Sequence, residues 1–194
     1  MTAEGTTEVA TAELTRATSS TMEVLRAVRA EQMDAPTPCA SWDVHALINH
    51  FIGSARWWAV MLDGSDEGPA VDYAAGDYLA AYEESIRIAH AAFTAEGALE
   101  RVVRLPQGEF PGAALLPFAA TDQFTHGWDL ARALGRPASD LDPELAERLL
   151  TQAEFAVTDA YRGPEGVGLF GPERAAPAGA EPADRLAAFL GRPV

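Results

Sequence analysis

Apolar and small residues recur along the chain at helical spacing. Leu14, Thr18, Thr21, Leu25 and Val28 follow one another at intervals of three and four, which predicts a first helix over residues 11–33. Ala35-Pro36-Thr37-Pro38 stops it, because a residue before proline is pushed out of the helical region. Val44, Leu47, Ile48, Phe51, Ala55, Trp58 and Leu62 form the stripe of a second helix, with Ser41 as its expected N-cap and Asp63-Gly64 as its end. Leu79, Tyr82, Ile86, Ala89 and Phe93 predict a third helix over 76–96.

A fourth helix is expected over 112–134, closed by Gly135 with Pro137 beyond. Asp142-Pro143 opens a fifth, running to Tyr161, with proline at the first helical position. Between the third and fourth, Arg101 to Leu105 alternates weakly, and Pro106-Gln107-Gly108 is a turn, so one small hairpin fits there. The Gly-, Pro- and Ala-rich stretch 163–182 reads as an irregular strap, followed by a short helix over 182–190. The fold expected is all-α: an up-and-down four-helix bundle with extra short helices and a small hairpin. Residues 1–10 read as a disordered tail and 11–194 as a single domain.

Composition narrows the function. The net charge of −15 argues against tracking a nucleic-acid backbone or docking on an anionic membrane, since both need a basic surface. All 14 basic residues are arginine, which removes lysine Schiff-base chemistry and phosphate-loop lysines. Cys39 is the only cysteine, so an internal disulfide, a thiolate zinc cluster and an iron–sulfur site are excluded. The N-terminal stretch lacks the apolar core of a signal peptide, and a cytoplasmic location is expected.

The candidate chemistry lies in the fourth helix. At about 100° per residue, Asp122, His126 and Asp129 share one face. The helix is apolar nearly all round, so these groups are expected to be buried, where charge is costly unless it is paired or bound to metal. Asp122 and His126 are four apart, a spacing that lets one helix give two ligands to one ion. His50, mid-way along the second helix, is the best third candidate. Two imidazoles and a carboxylate suit zinc first, with nickel, manganese or iron as alternatives, and leave positions open for water or substrate. A buried Asp–His hydrogen bond without metal explains Asp122 and His126 equally simply.

The segment Thr37-Pro38-Cys39-Ala40-Ser41-Trp42-Asp43, continuing through Leu47 to Asn49-His50, resembles the mycothiol-dependent maleylpyruvate isomerase-like family of the DinB/YfiT-like superfamily. His126-Gly127-Trp128-Asp129-Leu130-Ala131-Arg132 resembles that family's second signature, and Phe170-Gly171-Pro172 with Asp184-Arg185-Leu186 to Arg192 resembles the tail of a short actinobacterial branch. The resemblance implies a DinB-like bundle whose metal is held by His50, Asp122 and His126, although the family more often has Glu or His where Asp122 stands. It also implies a low-molecular-weight thiol such as mycothiol as cosubstrate, activated by the metal for transfer to a small electrophile. Maleylpyruvate isomerase carries a further C-terminal domain that contributes to its active site. This sequence reaches Val194 without one, so maleylpyruvate isomerisation is not expected. A bundle that keeps the ion or a small ligand but has lost the chemistry is the alternative, and a homodimer is compatible with either.

Asp129 is expected to accept a hydrogen bond from a ligand imidazole or to make a structural bond, for instance to Trp42. Cys39, just before a helix, reads first as a small buried structural residue, and Trp57, Trp58 and Trp128 as bundle packing. His45 and His90 have no partner at ligand spacing. Gly166-Val167-Gly168-Leu169-Phe170-Gly171 matches a dinucleotide fingerprint by letter, but Pro172 follows at once and no helix is expected to open there.

Overall fold

A computed structural model describes residues 3–39, 41–65, 68–106, 108–164 and 167–194, with backbone alone over 3–7. Ala40 of the proline-rich motif, Gln107 of the turn, Gly166 of the glycine run and the first two residues of the expected tail lie outside the described residues. The helices are α1 (Ala3–Leu25), α2 (Val44–Asp63), α3 (Tyr78–Thr94), α4 (Gly112–Ala133), α5 (Pro143–Ala156) and α6 (Pro182–Phe189). The expected hairpin is present, as β1 (Val102–Leu105) antiparallel to β2 (Gly108–Pro111). Among the described residues no helix is long and apolar enough to cross a membrane.

Helices α1 to α4 form the bundle. α4 packs on α1 and α2, and α3 packs on the same two helices from the other side. α1 and α2 thus occupy opposite corners, and the long connections 26–43 and 95–111 have the reach this requires. α5 and α6 pack on each other and on α4. α4 is consequently enclosed all round: Leu115, Leu116, Phe124, Trp128 and Leu130 are all at most 1% exposed.

Several element ends differ from the sequence expectation. α1 begins at Ala3, within the expected tail, because no proline precedes Pro36 to halt its propagation towards the N-terminus. It also ends earlier, at Leu25. Tyr78 donates its hydroxyl to the Val28 carbonyl and Arg29 gives its N–H to Gln32 Oε1, so these groups leave the helical ladder and a separate 3₁₀ turn follows at Ala30–Gln32. Asp43, rather than Ser41, caps α2, its carboxylate accepting from the Ala46 N–H at 2.8 Å. α5 stops at Ala156; Val157 and Thr158 are β-branched and extended, and Asp159–Tyr161 forms its own 3₁₀ turn.

Candidate metal centre

The α2–α4 contact builds the site. Gly64, in a left-handed conformation at φ 73°, and the Asp43 cap fix the ends of α2, and His50 lies two turns in from the cap. α4 contributes Asp122, His126 and Asp129 from one face. One ligand atom from each of His50, Asp122 and His126 lies within 4.8 Å of the others. His126 Nε2 is 3.4 Å from Asp122 Oδ1, and the His50 and His126 rings meet edge to face with centroids 4.7 Å apart. Trp42 packs against the His50 ring at 4.2 Å.

The two nitrogens of His126 have different partners. Nδ1 donates to Asp129 Oδ2 at 3.0 Å, which leaves Nε2 directed at Asp122 and His50. Asp129, 0% exposed, is in turn held by Arg192, whose Nη2 and Nε donate to its two oxygens at 3.1 and 3.3 Å. The Cys39 thiol also donates to Asp129 Oδ2, at 3.2 Å. Asp122 Oδ2 accepts from Ser54 Oγ at 2.7 Å and from Gln123 Nε2 at 3.2 Å.

These contacts set the charges. Burial alone would lower His126, but its bonds to Asp122 and Asp129 outweigh that and hold it well above the usual imidazole range. His50 goes the other way, pushed down to about 4 by burial and then by the neighbouring His126 charge. Burial would raise both carboxylates. The His126 hydrogen bond instead keeps Asp122 well below the usual range, and the Arg192 charge, followed by His126, keeps Asp129 at about 2. Cationic His126 and Arg192 therefore balance Asp122 and Asp129, while His50 stays neutral at pH 7.

A divalent ion fits this donor set. His50 is a neutral imidazole with no hydrogen-bond partner for either nitrogen among the described residues, although it sits against a carboxylate and a second imidazole. A lone pair in that position is what a first-row divalent cation takes up, and the carboxylate supplies compensating charge.

The triad forms the polar end of a cavity of about 550 Å³ between α2, α4, the hairpin and the C-terminal segment. Most of its wall is carbon, including Trp57, Trp58, Phe110, Phe118 and Phe170. Trp57 and Trp58, expected as bundle packing, line this space, and Trp58 also packs against the core. Cys39, expected to be buried, is half-exposed beside the His126–Asp129 pair. Asp129 bonds to His126, Cys39 and Arg192 rather than to Trp42. Trp128 is buried as expected, its indole N–H donating to Asp184 at 2.8 Å. His45 pairs with Asp72 at the surface and His90 lies near Thr15. No helix opens at Gly171, the next beginning only at Pro182, so the described part of the dinucleotide fingerprint has no phosphate site.

Sequence reasoning missed Arg192, Ser54 and Gln123. Arg192 is 63 positions from its partner, and only the packing of α6 brings it there. Ser54 and Gln123 had a usable signal: each lies on the α2–α4 face one helical turn or less from a triad member.

A family model described as the mycothiol maleylpyruvate isomerase N-terminal domain matches residues 14–131, from α1 nearly to the end of α4. Two uncharacterized proteins from different strains of Mycobacterium tuberculosis are each 39% identical to the chain over 183 residues, covering 92% of it and 95% of themselves. The crystal structure of the mycothiol-dependent maleylpyruvate isomerase superposes with a TM-score of 0.58 at 20% identity, over 74% of this chain and 67% of that one. At that identity the likeness concerns the fold. The matched family region contains all three members of the triad and Asp129, whereas Arg192 lies beyond it.

Proposed function

We propose that this chain, which belongs to the mycothiol maleylpyruvate isomerase N-terminal domain family, holds a divalent cation, zinc first, at His50, Asp122 and His126 and transfers a mycothiol-like thiol to a small electrophile. The observation that carries the reading is the unpartnered, neutral His50 imidazole facing Asp122 and His126 at ligand spacing. A cation in this place would supply Lewis acidity, which would lower the pKa of a thiol bound to it and so favour its nucleophilic form. The chain does the rest. Asp129 holds the proton on His126 Nδ1, so that Nε2 is the nitrogen left for the ion once its own proton is displaced, Arg192 holds Asp129, Trp42 restricts the His50 ring, and the aromatic wall excludes water.

A second reading has an observation of its own. Asp122 is already satisfied by Ser54, Gln123 and His126, so the bundle is electrostatically complete without an ion, as suits a non-catalytic ligand-binding bundle. Metal analysis of untagged protein purified without chelators, followed by a thiol-consumption assay with mycothiol and an electrophile, separates the two. Substoichiometric metal defeats the metal reading. Stoichiometric metal with no thiol consumed leaves the non-catalytic bundle.

Proton release gives a further check. At pH 7 His126 carries a proton on Nε2 that an incoming ion must displace, while His50 is already neutral. Calorimetric titration with zinc in buffers of different ionisation enthalpy should show about one proton released per ion, and affinity should rise roughly tenfold per pH unit until His126 deprotonates unaided. Zinc binding with no proton released at pH 7 would contradict the charge state assigned to His126.

A further inference from the structure

Beyond the triad, the cavity is shaped for a particular kind of molecule. Its volume of about 550 Å³ is in the range of sites for drug-sized ligands. Trp57 and Trp58 meet edge to face at 4.9 Å on one part of the wall, and Phe118 and Tyr161 at 6.5 Å on another. Arg192, the one arginine on the wall among the described residues, already spends its Nε and Nη2 on Asp129. A second carboxylate on a ligand, placed away from the triad, would therefore be buried against carbon without a free cation, which is strongly unfavourable.

Gly53 supplies an independent indication. It lies inside α2, where glycine is among the poorest helix formers, so a side chain there would ordinarily be favoured. Gly53 also lines the cavity, and a Cβ built on it meets nothing within 4 Å. No packing constraint of the fold requires the glycine; what it preserves is empty space beside His50 and Ser54. Two wall residues, Trp58 and Thr125, carry buried polar atoms with no hydrogen-bond partner, the indole Nε1 and the hydroxyl.

We infer that the cavity binds a neutral, predominantly apolar, ring-bearing molecule, and that Gly53 sets the size admitted. Its role as the electrophile that accepts the thiol rests on the metal-and-thiol reading above; its chemical class rests on the cavity alone. A dicarboxylate of similar size is rejected.

The test is fluorescence titration of the full chain with the neutral probe N-phenylnaphthylamine, with competition by naphthol and by naphthalene dicarboxylate. One saturable site is expected in the native chain both before and after treatment with a chelator, so probe binding and metal content report separately on this inference and on the metal reading. Gly53→Leu, which fills the space, should weaken binding by at least about tenfold without lowering the melting temperature. Leu169→Asp, at a wall residue 57% exposed and so tolerant of charge, should weaken it as well. Phe155→Ala, at an aromatic ring 92% exposed elsewhere on the surface, should leave it unchanged. Absence of saturable binding overturns the inference, as does undiminished binding in both Gly53→Leu and Leu169→Asp. Loss of binding in Phe155→Ala, or competition by the dicarboxylate as effective as that by naphthol, overturns it equally.

Discussion

Replacing His126 with alanine should lower divalent-metal affinity by a factor on the order of 100 or more while far-UV circular dichroism remains nearly that of the native chain. The loss is large because His126 Nε2 is the donor shared with both other triad members. The fold should survive because neither carboxylate is stranded. Asp122 keeps Ser54 and Gln123, and Asp129 keeps Arg192 and Cys39. Destabilisation of about 2–4 kcal/mol is expected from the lost charge-assisted hydrogen bond to Asp129 and the lost ion pair with Asp122, and the large core of α1 to α4 can absorb it. His50→Ala is the cleaner companion. His50 makes no hydrogen bond among the described residues, so its removal should abolish metal binding at a smaller cost in stability. Metal retained stoichiometrically in both variants would exclude the proposed ligand set.

How far the site could be read from sequence depended on the kind of contact involved. Asp122 and His126 share a helix, where a four-residue spacing alone fixes their adjacency, and His50 lies beside an apolar stripe that had to face the bundle. Such local periodicity is visible without coordinates. The triad's surroundings are not local. Arg192 reaches Asp129 only because α6 packs on α5 and α4, and Cys39 reaches it because the loop before α2 folds across the same face. Hydrophobic spacing does not distinguish a core position from a cavity wall, as Trp57 and Trp58 show; the helices must first be placed around the space.

The bundle itself was legible from periodicity and breakers. The helix ends that differed were decided by competition for single backbone groups. Gln32 and Tyr78 claim the polar groups that would have carried α1 onward, and Asp43 outcompetes Ser41 because its carboxylate reaches the Ala46 N–H. The wall of the cavity also depends on elements with weak sequence signals. Leu105 and Phe110 come from the small hairpin, and Leu169 and Phe170 from the strap after α5, so the least periodic parts of the chain complete the apolar half of the site.

Gly127, between His126 and Trp128 in the middle of α4, should be highly sensitive to substitution. A Cβ at this position would lie 2.3 Å from Thr21 Oγ1, 3.1 Å from Thr21 Cβ and 3.2 Å from Thr21 Cα on α1. Thr21 cannot swing clear. It is fully buried, its Oγ1 donates to the Gln123 carbonyl at 2.8 Å, and its Cα moves only with α1 itself. Gly127→Ala must therefore push α1 and α4 apart, at a net cost of about 1–3 kcal/mol after alanine's better helix propensity is counted. That corresponds to a melting temperature lower by roughly 3–10 °C for a chain of this length. Adding Thr21→Ala removes the nearest atom and should recover part of the loss, with a coupling energy of about 1 kcal/mol in a double-mutant cycle. Gly53→Ala is the contrasting control: nothing lies within 4 Å of its Cβ, and it should stabilise the chain by about 0.5–1 kcal/mol. Because α4 carries Asp122 and His126 while α2 carries His50, a shift of α4 against α1 should also weaken metal binding in Gly127→Ala. Equal thermal stability of Gly127→Ala and the native chain would refute the close α1–α4 approach on which this rests.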